Sequence, residues 1–420
     1  MTKRTNQPPK PPRIKLGGTS GLLIILALLF AQFVLGIDVL GLNEDTSTNN
    51  GGTVIGGGGG SAPPDIPDII DTSSLTDLRP IPGGYDGGWF QVYFTQPINS
   101  TNEADFHGAP IEEALVRLID SAQQSIDAAI FEMNSEPVTQ ALIRAHQRGV
   151  RVRVVTDNKH GLNDPETTIT ELQDAGIPVV ADTSSRNLMH DKFFVVDGLY
   201  VWTGSTNITH NGIYNNNNNA ILIRSSRLAQ NYEAEFEEMF AGEFGTTSPN
   251  IVPNPIVTVD GTIIETIFES EGDAGTRLAQ LIQDAHTVRF MAFSFTDSLR
   301  WNDNGTERSV MELLRDRAAS GELDVRGIVE ASSRAFIEPL YCAGVNVRQD
   351  GNPDILHHKV FIFDGEIVAL GSFNFSNSAA SKNDENMLII HSRALAQAYL
   401  EEFNRRWAES EPLPADEFDC

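Results

Sequence analysis

Cysteine is scarce in this chain, and signatures of bound cofactors are missing. Cys342 and Cys420 are the only two cysteines, so at most one intrachain disulfide can form. Neither cysteine has the spacing of a zinc site or the setting of a nucleophile. We expect Cys342 to be a small buried side chain and Cys420 to be exposed at the terminus. No P-loop, zinc-binding motif or dinucleotide-binding fingerprint occurs either, so we expect neither a metal nor an organic cofactor.

Positive charge is also scarce. The 420 residues include 30 lysines and arginines against 57 aspartates and glutamates, a formal net charge of −27. Five of the basic residues fall within residues 1–16, where no acidic residue occurs. The rest of the chain is therefore strongly acidic and repels a polyanion such as DNA at long range. This charge disfavours a nucleic-acid partner without excluding one, because lysines can make a cleft locally positive.

One apolar run follows the basic N-terminal tail, residues 1–17. Residues 21–36 contain a single strongly polar side chain, Gln32, and Asp38 ends the run. Its length lies between that of a signal-peptide core and that of a full membrane span. We interpret residues 18–40 as an uncleaved single-pass anchor in a bacterial-type cell membrane, with the basic tail in the cytoplasm. Secretion after signal cleavage is the alternative.

The segment after the apolar run has the composition of a linker. Residues 41–88 are rich in glycine, proline and threonine and have too few apolar residues to pack. They predict a disordered tether. The tether would hold the remaining chain outside the membrane and close to its surface.

One motif occurs twice in the chain. Each copy has the pattern His-x-Lys-x4-Asp: His190, Lys192 and Asp197, then His357, Lys359 and Asp364. A Gly-Ser-x-Asn segment follows each copy at the same distance, at residues 204–207 and 371–374. The stretches 190–219 and 357–386 align without a gap. Agreement at so many positions indicates an internal duplication in which each copy supplies the same side chains.

Strands and helices alternate around both copies. Runs rich in β-branched residues, such as 125–131 and 150–156, alternate with amphipathic segments, such as 111–122 and 137–149. This alternation predicts an α/β fold with a largely parallel or mixed sheet. Each motif lysine begins a predicted core strand. The Asp-Gly pair after that strand predicts a hairpin turn, which returns the Gly-Ser-x-Asn segment to the histidine.

The duplication also suggests domain boundaries. We expect a first half, a connector, a second half and a C-terminal tail, at residues 89–247, 248–263, 264–410 and 411–420.

The paired motifs resemble those of the phospholipase D superfamily, in which two such halves build one active site. The second copy, from His357 to Asn386, is most similar to the small bacterial endonuclease branch. The resemblance implies two pseudo-symmetric α/β sandwich halves around one shared active site, with a phosphohistidine intermediate. Because one chain carries both copies, we expect a monomer to be active.

Phosphodiester cleavage needs a nucleophile, an acid for the leaving oxygen and donors for the phosphate charge. The candidate catalytic residues are His190, Lys192, Asn207, His357, Lys359, Asn374 and Glu385. Neutral imidazole can attack phosphorus, and imidazolium can protonate the leaving oxygen. The residues expected to support the motif are Asp197, Ser205, Asn218, Asp364 and Ser372. The two serines, together with Asn207 and Asn374, are candidate hydrogen-bond donors to the phosphate. The Asp-Gly context of both aspartates favours a role in a turn.

The two copies differ at one informative position, where Asn218 in the first matches Glu385 in the second. In the endonuclease branch the glutamate at this position hydrogen-bonds its own histidine, so the resemblance implies that Glu385 pairs with His357. A carboxylate stabilises imidazolium and raises its pKa. This pairing favours His357 as the general acid and His190 as the nucleophile.

Four other polar residues are weaker candidates. Glu132 and Ser294 fall near strand ends and are candidates to line the pocket. His358 has Asp191 as its counterpart in the first copy, so we treat it as non-catalytic. We expect Glu402, on a closing helix, to lie on a solvated face.

Taken as a resemblance, the motifs imply a metal-independent hydrolase that cleaves a phospholipid into phosphatidate and an alcohol. Export, membrane tethering and the acidic surface favour a lipid substrate. An exported endonuclease that cleaves DNA or RNA is one alternative, supported by the second motif. A phosphatidyl transferase would use the same intermediate, and a non-catalytic protein that binds phosphate at the cell surface is a further alternative.

Overall fold

A computed structural model of the protein describes residues 78–183, 187–249, 251–269, 272–418 and 420. The basic tail, the expected anchor at residues 18–40 and residues 41–77 of the expected linker lie outside the described residues. Within the described ranges, no helix is both long and apolar enough to cross a membrane.

The first half is built on a mixed sheet, with nine strands among the described residues. They are β1 (Arg79–Ile81), β2 (Gly84–Asp86), β3 (Phe90–Phe94), β4 (Ser125–Ile130), β5 (Arg151–Asp157), β6 (Val179–Asp182), β7 (Lys192–Val196), β8 (Tyr200–Gly204) and β9 (Asn219–Arg224). Their order is β1-β2-β3-β9-β8-β7-β4-β5-β6. The pairs β4–β5 and β5–β6 are parallel, and the other pairs are antiparallel. The helices are α1 (Pro110–Ser121), α2 (Glu136–Gln147), α3 (Ile169–Asp174) and α4 (Ser226–Phe240).

The second half repeats this plan. Its strands are β10 (Ile256–Val259), β11 (Thr262–Glu269), β12 (Thr287–Ala292), β13 (Arg300–Asp303), β14 (Thr306–Ser309), β15 (Asp324–Val329), β16 (Asn346–Gln349), β17 (Lys359–Phe363), β18 (Ile367–Gly371), β19 (Glu385–His391) and β20 (Glu411–Pro412). The sheet order is β10-β11-β19-β18-β17-β12-β15-β16-β20, and β13 and β14 form a separate hairpin. The helices are α5 (Ala274–Asp284), α6 (Val310–Ala319), α7 (Glu338–Cys342), α8 (Asn377–Ser381) and α9 (Arg393–Glu409).

Each motif strand is buried on both faces, as its continuous apolar sequence predicts. In β7, Phe193 and Val195 belong to the core that the two halves share, whereas Phe194 and Val196 belong to the outer core of the first half. Strand β17 divides its side chains between the shared core and the outer core of the second half in the same way. This period-two division fixes the register of the strand and therefore the position of the lysine at its start.

The helices α4 and α9 contribute to the shared core. Tyr232 of α4 lies edge-on to Phe268 of β11, with ring centroids 5.1 Å apart. Tyr399 of α9 lies edge-on to Phe94 of β3 at the same centroid distance of 5.1 Å. Each helix therefore packs against the sheet of the other half as well as its own, which joins the two repeats into one body.

Three segments differ from the expected boundaries. Residues 79–86, assigned to the linker, form a hairpin at the edge of the first sheet. Residues 256–259, assigned to the connector, form the edge strand of the second sheet. In the expected C-terminal tail, β20 pairs with β16.

Cys420 is exposed, as expected, but the expectation of a buried Cys342 was wrong, because this residue is exposed as well. Cys342 at the end of α7 and Cys420 form a disulfide, with their Cα atoms 5.3 Å apart. The pairing was not visible in the sequence because 78 residues separate the two cysteines. The disulfide and β20 together fasten the C-terminus to the second half.

Candidate active site

The aspartates of both motifs lie in turns and do not face the histidines. Asp197 and Asp364 adopt the left-handed region, with φ of 55° and 52°. Asp197 Oδ1 accepts hydrogen bonds from the backbone N–H groups of Gln124 and Ser125 at 2.7 and 3.0 Å. Asp364 Oδ1 accepts one from the N–H of Thr287 at 2.6 Å. Each aspartate thus ties the turn after a motif strand to the start of its neighbour, β4 or β12.

Backbone hydrogen bonds connect the two halves at both histidines. The N–H of His190 donates to the carbonyl of Asp384 at 3.0 Å, and the N–H of Asp384 donates to Leu188 at 2.9 Å. The matching pair is His357 with Asn217, at 2.9 Å. The residue before each histidine therefore forms a β-bridge with the segment that precedes β19 or β9 of the other half. These reciprocal bridges place the two histidines in one site.

Because of these bridges, Glu385 of the second half contacts the histidine of the first half, His190. His190 Nδ1 and Glu385 Oε2 lie 2.7 Å apart, and the Ser372 hydroxyl donates to the same oxygen at 2.8 Å. The expected pair of Glu385 with His357 is therefore wrong. The physical reason is the β-bridge at Asp384, which carries the next residue of the chain across to His190.

His357 has an amide in place of the carboxylate. Its Nδ1 lies 2.9 Å from Asn218 Oδ1 and 3.0 Å from the carbonyl of Ser205. Asn218 donates its amide N–H to the carbonyl of Gly212 at 2.8 Å, which fixes its oxygen toward the histidine. Both acceptors require a proton on Nδ1, so the neutral ring carries its lone pair on Nε2.

The Nε2 atoms of both histidines have no hydrogen-bond partner among the described residues, and the lysines lie beside them. Lys192 Nζ donates to the carbonyl of His190, and Lys359 Nζ donates to that of His357 at 2.9 Å. Both lysines are buried. Each ammonium group also lies over an aromatic ring, that of Phe131 at 4.6 Å or that of Phe293 at 4.7 Å.

The two phenylalanines were not predicted. Their rings lie edge-on to the histidines, with centroids 4.8 Å apart for Phe131 and His190 and 5.0 Å for Phe293 and His357. Each is the first residue after β4 or β12. The duplication itself contains the signal, because an aromatic residue stands at this position in both halves.

The electrostatics of the cluster favour an anion. Burial lowers the pKa of both histidines, and the charges of Lys192 and Lys359 lower it further. Burial also lowers the pKa of Lys192 to about 8, against the opposing effect of Glu385 and Glu132, and lowers that of Lys359 well below its usual range. Burial raises the pKa of Glu385 to about 7, although Lys192 opposes this. A bound phosphate would stabilise the buried ammonium groups by supplying the missing negative charge.

The serines and asparagines of the Gly-Ser-x-Asn segments divide into two roles. Ser205 and Ser372 were expected to donate to phosphate, but their hydroxyls donate to Asn218 and Glu385, the partners of the histidines. Asn207 donates its amide N–H to Glu132. Asn374 makes no side-chain hydrogen bond with another described residue, so its amide can bind a ligand.

A second pair of side-chain contacts joins the two halves at Asp191 and His358, the residues that follow the two motif histidines. Asn386 donates to Asp191 Oδ1 at 2.5 Å, and Asn219 Nδ2 lies 2.9 Å from His358 Nδ1. His358 Nε2 is 3.1 Å from Glu402 Oε1. The expectation of a solvated Glu402 was wrong, because this side chain is 1% exposed.

A duplicated α/β fold with two histidines and two buried lysines in one cluster defines a phospholipase D-like protein. Residues 115–240 and 278–407 each match the family described as "Cardiolipin synthase, PLD-like domain". The chain belongs to this phospholipase D-like family, in agreement with the resemblance of its two motifs.

Individual relatives match this chain over a length close to that of one repeat. The chain is 37% identical over 139 residues to a mitochondrial cardiolipin hydrolase of Xenopus laevis, across 33% of this chain and 64% of that protein. It is 36% identical over 118 residues to a phospholipase D of Rickettsia prowazekii, across 28% of this chain and 57% of that protein. The chain thus spans less than two thirds of the length of either relative.

A solved structure extends over both halves. The crystal structure of phosphatidylserine synthase from Haemophilus influenzae superposes with a TM-score of 0.58 and 13% identity, covering 73% of this chain and 86% of that one. At this identity the match shows the shared fold.

Proposed function

We propose that this chain is a phospholipase D-type phosphodiesterase that hydrolyses a phospholipid to phosphatidate and an alcohol. One observation supports this most directly. A residue of the opposite half holds Nδ1 of each histidine, which leaves both Nε2 atoms free beside two buried lysines. A nucleophile, an acid and a phosphate-binding charge thus lie in one cluster.

In the first step, the Nε2 lone pair of His190 attacks phosphorus, and the bond from phosphorus to the leaving oxygen breaks. His357 Nε2 gives its proton to that oxygen, and the alcohol departs. The His190 ring gains a positive charge when the phosphorus–nitrogen bond forms. Glu385 stabilises that charge through its bond to Nδ1, so the carboxylate favours His190 as the nucleophile.

His357 must be protonated to act as the acid. In the empty site, burial and the two lysine charges hold the pKa of His357 well below its usual range. A bound phosphodiester anion offsets the lysine charges and thereby raises this pKa. Substrate binding and protonation of His357 are therefore coupled.

In the second step, a water molecule gives a proton to His357 Nε2 while its oxygen attacks phosphorus. The phosphorus–nitrogen bond breaks, and His190 returns to its neutral form. No step of this cycle draws on a metal ion. An alcohol in place of water would give transfer instead of hydrolysis.

The names of the relatives support a lipid substrate. The mitochondrial relative is named for cardiolipin hydrolysis, the bacterial relative is a phospholipase D, and the family description refers to cardiolipin synthase. The net charge of −27 disfavours long DNA. A nuclease is the alternative, and the assay described below distinguishes the two.

We further propose that the catalytic region lies outside the cytoplasmic membrane, anchored by residues 18–40. The disulfide between Cys342 and Cys420 supports this location, because disulfides persist in oxidising compartments and are rare in the cytosol. Fractionation should recover the intact protein with membranes, with its folded region accessible to external protease. Recovery of the reduced protein from the cytosol would contradict this location.

The function is tested by assaying the purified protein on cardiolipin, phosphatidylcholine and single-stranded DNA in parallel, with and without a chelator. We expect lipid turnover that releases phosphatidate and survives the chelator. We also expect no turnover by His190→Ala or His357→Ala. DNA cleavage without lipid turnover would replace the lipase by a nuclease, and no turnover of any diester would favour a phosphate-binding protein.

A further inference from the structure

The walls of the candidate site differ at a second position besides Asn218 and Glu385. Ile130 of β4 pairs with Lys192, and Ala292 of β12 pairs with Lys359, so the two strands occupy equivalent places. Two residues beyond these pairs stands Glu132 in the first half and Ser294 in the second. The first half thus has a carboxyl group at the position where the second half has a neutral hydroxyl.

The contacts of Glu132 place its charge at the phosphate-binding groups. Its Oε1 accepts the amide N–H of Asn207, one of the candidate hydrogen-bond donors to the phosphate. Lys192 attracts the carboxylate, whereas Asp157 and Asp164 repel it. Glu132 is half-buried as a whole residue, whereas Ser294 is fully buried. Glu132 is therefore close enough to Lys192 to offset part of its charge.

The bond to Asn207 also fixes which end of that amide faces Glu132. An ionised carboxylate only accepts hydrogen bonds, so it selects the NH2 group of the amide and not its oxygen. The second hydrogen of that group stays available to a phosphate oxygen.

We propose that Glu132 sets the charge selectivity of the site, so that a singly charged diester binds in preference to a doubly charged anion. This inference rests on the proposed function, in which the substrate is a phosphodiester and the product is a phosphomonoester. Each additional negative charge on a ligand gains from the lysines but is repelled by the carboxylate. The monoester product is thereby released, and the site is freed for the next diester.

The protonation of Glu132 makes this selectivity measurable. Burial raises the pKa of Glu132 to about 7, and Lys192 opposes this rise. Above this pH the carboxylate is ionised and repels a doubly charged ligand. Below it the carboxyl group is neutral, and the same ligand binds more tightly.

Sulfate is a suitable probe because it keeps its double charge on both sides of neutral pH. Its dissociation constant is measured by calorimetry on the full-chain protein as a function of pH. In the wild type we expect binding to weaken as the pH rises through about 7. In Glu132→Gln we expect sulfate to bind about tenfold more tightly above that pH, which corresponds to one pKa unit of coupling. We also expect the sulfate dissociation constant of this variant to depend less on pH than that of the wild type.

Two matched variants separate this effect from others. Ser294→Ala changes the equivalent position of the other wall and should keep the wild-type pH dependence. Glu385→Gln removes another carboxyl group of the site with a pKa of about 7, and the effect of Glu132 on the pH dependence of sulfate binding should remain. Glu132→Ser introduces the residue of the second half and serves as a second test if the glutamine variant does not fold.

A folded Glu132→Gln or Glu132→Ser that binds sulfate as the wild type does would overturn the inference. So would an equal effect of Ser294→Ala. Turnover of bis(p-nitrophenyl) phosphate by the wild type is measured separately. If the wild type turns over no diester but sulfate binding responds to Glu132, the proposed function fails and the selectivity stands. If the wild type turns over the diester but sulfate binding does not respond to Glu132, the proposed function stands and only the selectivity is rejected.

Discussion

His190 and His357 have nearly the same surroundings, and the main difference is the group that holds Nδ1. A carboxylate oxygen of Glu385 lies 2.7 Å from His190, and an amide oxygen of Asn218 lies 2.9 Å from His357. The carboxylate stabilises a positive ring, and the amide only orients one. One residue type thus distinguishes a nucleophile from an acid in an otherwise symmetric pair.

The ionisation of Glu385 should appear in the pH dependence of catalysis. Burial raises the pKa of Glu385 to about 7, so the ionised form that the first step needs is lost as the pH falls through that value. We expect kcat/KM of the wild type to fall on this acid side. In Glu385→Gln we expect this limb to be absent and kcat/KM to be lower by about 10²–10³, the usual effect of removing one electrostatic stabiliser.

A pH-rate profile of both proteins on bis(p-nitrophenyl) phosphate measures this. Circular dichroism of the variant controls for loss of structure. An unchanged acid limb in Glu385→Gln would show that another group controls it.

The sequence alone predicted which residue types gather at the site but not how they pair. Spacing and duplication indicated both histidines, both lysines, both asparagines and Glu385. They could not show that Glu385 crosses to His190, because the partners are 195 residues apart and the contact depends on a β-bridge between the halves. The sequence shows that Asn218 and Glu385 differ in residue type, but this difference does not reveal which histidine each one contacts.

Among the elements, α9 connects the site to the shared core. Glu402 is buried and lies 3.1 Å from His358 Nε2, while Arg405 donates to its other oxygen at 2.7 Å. Burial opposes the ionisation of Glu402, but His358 and Arg406 outweigh it and lower the pKa of this carboxyl group to about 2. The carboxylate is therefore ionised at all ordinary pH values.

Replacing Glu402 by Gln should destabilise the protein. The substitution removes one of the two carboxylates that pair with the buried guanidinium of Arg406, at 3.2 Å, and leaves Glu409 as its remaining charge partner. Breaking a buried ion pair in this way typically costs up to about 3–5 kcal/mol. Urea denaturation measures the free energy of unfolding. Glu409→Gln is the matched control on the same helix, because Glu409 pairs with Arg406 near the surface, and we expect a change of at most about 1 kcal/mol. Equal effects of the two substitutions would contradict this assignment.

Long, strongly patterned elements followed from the sequence, and short polar ones did not. The helix expected at residues 111–122 is α1, Pro110–Ser121, and the strand expected at 125–131 is β4, Ser125–Ile130. The hairpin of β13 and β14 was missed, since its strands Arg300–Asp303 and Thr306–Ser309 carry mostly polar residues. Their structure depends on packing in the second half rather than on local alternation.

At the scale of the whole molecule, one chain contains both halves of one site. We therefore expect an active monomer in sedimentation. Mixing His190→Ala with His357→Ala should restore no activity, because each chain of the mixture lacks one of the two histidines. Recovery of activity on mixing would indicate that the halves of different chains combine.

The central claim, a covalent intermediate on His190, is tested most directly by His357→Ala with bis(p-nitrophenyl) phosphate. The p-nitrophenolate leaving group needs no acid, so the first step should proceed, while the second step lacks its base and should be slow. We predict a burst of one p-nitrophenolate per chain and a p-nitrophenyl phosphoryl adduct, located on His190 by mass spectrometry at alkaline pH. His190→Ala should give neither. An adduct on another residue, or steady turnover by His357→Ala without any adduct, would contradict the account.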